Sequence, residues 1–395
     1  MVMADAPTEW RLTPEWLVSG MLVAVSAAFA LFEALQPGGS IDLGFVWAAG
    51  RMFNHGLDPY SPAFEPFTRS LFSEAKDWAW FYPPQWTLPA SLLARFSFPT
   101  ACLIWRLTNV LFLAIAAWAI VRTWAAIAVR PRPTWLALTL ALIFSGEATG
   151  AVFYLGQTGI LVLLGFALFT WGSVGERRSP AIFGLTLLMV KPNIGLPVAI
   201  VALATPFHRR ALLGACIVSL LFCLPLFVQR GAGIGASLLN WERNLSVYGA
   251  ATGYNQPIRM TGLSHILSMP AIATSLVAAA VGLALAFGYR RTRYTDTGEA
   301  IALVACTVTA AFVSLHNYDL SFVAILVLLG ARGPVAARVC FVAGALLFAN
   351  ARRIASHVAL NPEVVIGQAH IGVIAGMIIV VGTLLWLVWP RRRAI

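Results

Sequence analysis

The sequence predicts an all-α polytopic membrane protein of about 11–12 helices, each needing roughly 20 apolar residues to cross a bilayer. Two further observations support this. Of 395 residues, 59% are hydrophobic and only 11% charged, whereas a soluble domain carries about a quarter charged residues. The basic residues also fall in short clusters between the apolar runs: Arg130/Arg132, Arg177/Arg178, His208 to Arg210, Arg290 to Arg293, Arg332/Arg338 and Arg391 to Arg393. That is the pattern of cytoplasmic loops under the positive-inside rule. The net charge of +11 therefore points to topology and anionic membrane lipid, with no nucleic-acid partner. Cys102, Cys216, Cys223, Cys306 and Cys340 lie in or beside apolar runs without metal-ligand spacing and read as small core residues.

Residues 1–395 read as one membrane domain. Leu17 to Leu35 lacks a small-residue cleavage site and is expected to be the first transmembrane helix. A large first extracytoplasmic loop follows over residues 37–98. Its polar core, Ser40 to Pro84, is rich in acids and aromatics. Within it, Leu43 to Phe53 and Phe67 to Asp77 have helical spacing, separated by the breaker Asp58-Pro59-Tyr60-Ser61-Pro62. Gln85 to Phe96 is too short to span and is expected to lie along the outer leaflet. Thr100 to Val121 crosses inward, Trp135 to Thr149 outward, and Ile160 to Trp171 returns.

Ala181 to Thr205 is interrupted by Lys191-Pro192-Asn193 and reads as two half-length helices, tolerated at membrane depth only where they line a cavity. Ala211 to Phe227 goes out, Gln229 to Gly262 forms a second outer loop, and Ala271 to Phe287 returns. Glu299 to Leu315 and Leu320 to Leu329 make a hairpin tipped by His316-Asn317-Tyr318-Asp319. Val339 to Asn350, a third outer loop and Ile371 to Trp389 complete the chain. This topology brings Asp42, Tyr82, Gln157, Lys191, Asn255 and His316 to the extracytoplasmic side, and polar groups at such depth are costly and usually functional.

Each candidate has a plainer reading beside the functional one. Asp42 precedes a helical run, so it reads either as an N-cap or as a general base in a partly dry pocket. Tyr60 and Tyr82 sit in proline turns, as interface anchors or as pocket wall. Gln157 is a helix-end or interhelical hydrogen-bonding residue, or a pocket residue. Lys191, a cation at a helix break, either snorkels to headgroups or binds an anion such as a lipid-linked phosphate. Arg259 is a second phosphate candidate. His316 and Asp319 flank the hairpin tip as structural or site residues, and Asn255 and Gln256 lie in the second outer loop. There is no P-loop, no strand-borne GxGxxG, no metal cluster and no paired Asp-x-Asp, so neither a cofactor, a metal nor a soluble nucleotide donor is expected.

The order Asp42…Gly56-Leu57-Asp58-Pro59-Tyr60, Phe81-Tyr82-Pro83-Pro84, Gly156-Gln157, Val190-Lys191-Pro192 and Asn255-Gln256 resembles glycosyltransferase family 87. These are polyprenyl-phosphate-mannose-dependent mannosyltransferases with the GT-C fold. The resemblance runs from about Leu17 to Trp389, and Pro257 departs from it where a small hydroxyl residue is the pattern. It implies transfer of a sugar, mannose by default, with inversion. The sugar passes from a polyprenyl-phosphate carrier to a hydroxyl of a lipid or glycan acceptor, on the outer face of the cytoplasmic (inner) membrane. It also implies Asp42 as general base and His316 facing the same pocket, while Lys191 stands at the Lys-Pro position. Two other classes stay open on the residues: a transporter or flippase for a lipid-linked sugar, and a non-catalytic envelope-assembly protein. Neither makes a covalent product.

Overall fold

The structure, a computed structural model, describes residues 13–36, 40–72, 79–127, 132–253, 271–289, 297–313, 315–350 and 375–387. The described residues are almost wholly helical and hold no strand. The protein is an all-α polytopic membrane protein. Four long apolar helical stretches, 14–35, 98–126, 133–155 and 206–246, have the length and composition to cross a bilayer, and a set of shorter apolar helices packs with them.

The helices follow the apolar runs. α1 (Pro14–Leu35) begins with a proline in its first turn, where the missing N–H is no loss. It lies parallel to α6 (Pro133–Ser145) and α7 (Glu147–Leu155), which are separated by a bend at Gly146. Both ends of this pairing are fixed by hydrogen bonds. At one end Thr134 Oγ1 donates to Glu15 (2.6 Å), and at the other Ser40 N donates to Tyr154 O (3.1 Å). α5 (Phe98–Ala126) and α8 (Gly159–Val174) run back toward the basic clusters. There Arg122 and Arg177 both lie over the Trp171 ring, at 5.9 and 5.7 Å.

The expected break at Lys191 is present. α9 (Arg178–Met189) stops, Lys191 adopts extended backbone, and α10 (Pro192–Ala202) folds back against α9. A Cβ placed on Gly195 would lie 2.7 Å from Leu188 O, so the two arms touch at backbone distance. Each arm rises only about 16–18 Å, roughly half a bilayer core, which leaves the tip inside the bundle. α11 (Pro206–Arg230) then runs the full depth. His208 pins its start to α8, Nδ1 against Thr205 Oγ1 (2.6 Å) and Nε2 against Ser173 Oγ (2.9 Å). α13 (Ala271–Tyr289), α14 (Thr297–Phe312), a 3-10 turn (Asn317–Ala324) leading into α15 (Ile325–Gly330), α16 (Val335–Ala349) and α17 (375–387) complete the bundle. At the basic end, buried Glu299 of α14 pairs with Arg332 after α15. Between helices in lipid, water supplies no hydrophobic drive and close packing must hold the contacts. Accordingly, small residues mark the crossings: a Cβ on Gly184 of α9 would lie 2.4 Å from Phe169 N on α8.

A separate layer covers the opposite end. α2 (Ile41–Asn54), α3 (Phe64–Leu71) and α4 (Thr87–Leu93) pack around Trp80, Tyr60 and Phe64, all fully buried. Each such large side chain contributes about 1.5–3 kcal/mol where the alternative is water. Gly50 lets α2 and α4 touch, since a Cβ there would lie 2.0 Å from Ala90 O.

Two expectations shift here. Phe67 to Asp77 is replaced by the shorter, earlier α3, with 73–78 outside the described residues. The second outer loop is largely α12 (Ile234–Gly253), not irregular chain. One face of α12 clamps the layer. Ser237 Oγ donates to Asp58 Oδ2 (2.9 Å), Trp241 Nε1 to Phe81 O (3.0 Å), and Asn244 Nδ2 to Tyr60 O and Trp80 O (3.1 and 3.0 Å). Positions 237, 241 and 244 recur at helical spacing.

Candidate functional site

The site is built where the layer meets the bundle. Ser40, in left-handed backbone (φ 43°), starts α2, so Asp42 falls in the first helical turn rather than at the N-cap. Its carboxylate is half-buried and stands where the partial positive charge of the helix start favours an anion. From the first turn this carboxylate is within the stretch of free N–H groups at the helix start, so capping and base chemistry are compatible at Asp42. One turn on, Phe45 meets Phe81 (centroids 6.4 Å), and Phe81 stacks on Tyr82 (5.2 Å).

The start of α2 rests on the α7–α8 junction. Gly156 ends α7 with φ +74°, a conformation glycine adopts without strain, and a Cβ there would lie 2.9 Å from Leu43 Cβ. Its carbonyl accepts from Trp105 Nε1 on α5 (3.0 Å). Gln157 follows, 5% exposed, with Oε1 accepting from Thr158 N (3.3 Å). Then Gly159 touches the hairpin tip: a Cβ on it would lie 1.9 Å from Tyr318 O.

At that tip the charged groups gather. Lys191 Nζ donates to Asp319 Oδ1 at 2.5 Å, the side chains being 13% and 2% exposed. The same ammonium lies 5.0 Å from the Tyr318 ring centroid, and His316 stacks on Tyr318 at 4.8 Å. Asp319 N donates to His316 O (2.9 Å), which closes the turn. Val190, beside Lys191, packs on the aromatic cluster that contains Leu43 and Tyr82. Leu43, next to Asp42, thus packs at Gly156, next to Gln157, and three residues on Gly159 meets the turn that carries His316, Tyr318 and Asp319, the partner of Lys191.

Tyr60 is placed differently. It is 1% exposed inside the layer, and its hydroxyl donates to Tyr82 O (2.9 Å). Burial pushes that hydroxyl far above the ordinary tyrosine value. It holds the turn that presents Phe81 and Tyr82, and it does not reach the junction. Asn255, Gln256 and Arg259 lie outside the described residues.

Sequence reasoning passed over Tyr318, Trp105 and Arg106. Only Arg106 carried a signal, as a charge inside an otherwise apolar crossing segment. Among the described residues no group of acids, histidines and cysteines has the arrangement to hold a metal ion.

A family model, glycosyltransferase family 87, matches residues 80–316. No curated protein and no solved structure matches the chain.

Proposed function

The chain belongs to glycosyltransferase family 87 and is a membrane glycosyltransferase; from that premise we propose that it transfers a sugar, mannose first among candidates, from a polyprenyl-phosphate carrier to a hydroxyl of a lipid or glycan acceptor. Transfer inverts the anomeric centre and takes place on the extracytoplasmic face of the cytoplasmic membrane. The positive-inside rule supports that side, because the described arginines of the basic clusters, among them Arg177, Arg178, Arg209, Arg210 and Arg332, lie at the helix ends opposite the site.

The observation that supports this reading is that the α7–α8 junction is packed by Leu43, next to Asp42, at Gly156 and by Tyr318, next to Asp319 of the Lys191 pair, at Gly159. Asp42 takes the proton of the acceptor hydroxyl, and the oxygen attacks the anomeric carbon from the face opposite the phosphate. The anomeric carbon–oxygen bond then breaks, with its electron pair leaving on the phosphate. Phosphate is already a good leaving group, so its charge needs compensation more than its oxygen needs a proton. Lys191, aimed by Asp319 and Tyr318, is the cation offered on the bundle side. Holding acceptor and donor in line and excluding water supplies much of the rate.

The half-length α9–α10 hairpin is also a feature of transporters, and covalent product separates the two classes. The test is transfer by purified protein in nanodiscs, supplied with polyprenyl-phosphate-mannose and envelope lipid extract, wild type beside Asp42→Asn. Product from the wild type alone supports both reaction and base; equal turnover by a folded Asp42→Asn protein refutes the base. Donor bound by the wild type without any product turns the reading to transport.

A further inference from the structure

At the basic end of the bundle, away from the site, two cations share one aromatic ring. Arg122 of α5 and Arg177, the residue before α9, stand over the Trp171 ring of α8, with Cζ 5.9 and 5.7 Å from its centroid. Both arginines are exposed, and among the described residues neither forms an ion pair with an acid, Glu176 included. Two like charges gathered on one ring repel each other, and an anion between them relieves this.

The depth of the cluster narrows the choice of anion. With α5 centred in the bilayer its middle residue is Phe112, and Arg122 stands about 15 Å further along, half of a hydrocarbon core of about 30 Å. The guanidinium is therefore at the border where phospholipid headgroups begin. The tryptophans agree with this level, where indole rings collect. Trp118 packs edge-on against Trp171 at 4.7 Å and is 49% exposed, and Trp16 meets Trp124 at 5.9 Å at the same end. α9 also starts here, with no acid in its first turn and no capping side chain. Its free N–H groups and the positive end of its dipole add to the potential of the two arginines.

We propose that Arg122, Trp171 and Arg177 form a binding site for the phosphodiester headgroup of one anionic phospholipid, in the leaflet at the basic end. A guanidinium on an aromatic face keeps its N–H edge for oxygen acceptors, and its planar fork matches two phosphate oxygens. Exposed Trp118 offers an apolar wall to the start of the acyl chains. The bound lipid ties together the ends of α5, α8 and α9. This is narrower than the attraction of any arginine cluster to an anionic leaflet, because it requires one saturable lipid and these two arginines. It is independent of the donor reading.

The test is native mass spectrometry of the detergent-purified chain, titrated with phosphatidylglycerol or with zwitterionic phosphatidylcholine of the same acyl chains. The wild type should bind one phosphatidylglycerol ahead of any phosphatidylcholine. Arg122→Gln and Arg177→Gln should each weaken that first phosphatidylglycerol roughly 10- to 100-fold, the scale of a lost hydrogen bond to a charged group, with phosphatidylcholine binding unchanged. Arg210→Gln, which removes an exposed arginine at the same end outside the cluster, should weaken it about five-fold or less, the share of one charge in the general field. Equal losses from Arg210→Gln and Arg122→Gln overturn the site in favour of a diffuse field, as does a wild type without preference for phosphatidylglycerol. A parallel fall in both lipids makes the arginines helix braces and also overturns it. Displacement of the lipid by inorganic phosphate at equal concentration overturns the lipid as ligand. Where a glutamine variant does not fold, Arg122→Lys/Arg177→Lys carries the test, because it keeps both charges and removes both forks. The site predicts weaker phosphatidylglycerol binding by that variant, and unchanged affinity overturns it.

Discussion

Removing one member of the Lys191–Asp319 pair should cost far more than removing both. At 2.5 Å the gross attraction between the two charges is about 6–7 kcal/mol for an effective dielectric near 20. Much of this offsets the cost of taking both groups out of lipid-exposed or watery surroundings, so the pair's net contribution is small. Loss of a single partner removes the attraction and keeps the desolvation. With Asp319 2% exposed and Lys191 13% exposed, Lys191→Met or Asp319→Leu alone should destabilise by about 3–5 kcal/mol. The double variant Lys191→Met/Asp319→Leu replaces the pair with apolar side chains and should recover at least about 2 kcal/mol of the summed single effects, within the range seen for contacting residues. Unfolding in rising mole fractions of sodium dodecyl sulfate, followed by circular dichroism, gives the four stabilities of the cycle. Strict additivity would refute the claim that these residues are one buried unit, as would a single variant within about 0.5 kcal/mol of wild type.

Three further outcomes are expected. Asp42→Asn should lower transfer by about 10²–10⁴-fold, the usual range for a general base, with no change in detergent unfolding; a loss of fold would instead make Asp42 structural. Gly159→Ala should displace the His316–Tyr318 turn, since its methyl meets the Tyr318 carbonyl, and should cost about 1–3 kcal/mol. Gly20→Ala, with nothing within 4 Å, is the neutral control, and equal unfolding of the two variants would refute the contact. Tyr60→Phe removes the hydrogen bond that its hydroxyl donates to Tyr82 O and should cost about 0.5–1.5 kcal/mol. Because burial raises the folded value of Tyr60, the stability it confers is full below the ordinary tyrosine value near 10 and falls as pH rises beyond it. Tyr60→Phe should remove part of that alkaline loss, and identical alkaline profiles would count against the buried hydroxyl.

Periodicity and charge clusters carried the helical membrane class, because long apolar runs and arginine loops are local properties of the chain. The break at Lys191-Pro192 was legible for the same reason: a charge followed by proline cannot continue an apolar helix. The helix in the second outer loop was not, since Ile234–Gly253 is too polar to announce a membrane segment. It is recognisable as one element only once Ser237, Trp241 and Asn244 are seen to bind carbonyls and an aspartate far away in the chain. Tyr60 shows the converse limit. Its motif marks a turn correctly, but burial inside the layer, which depends on Trp80 and Phe64, decides that its hydroxyl serves the backbone.

Lys191 and Arg106 show why a charge read alone misleads. Lys191 stood out because it breaks a helix, and the fold gives it Asp319, 128 residues away in the chain, a partner no spacing rule would select. Arg106 breaks nothing and sits in good helical sequence, so only its depth in the membrane was a signal. The Lys191–Asp319 pair ties the α9–α10 tip to the Tyr318 turn.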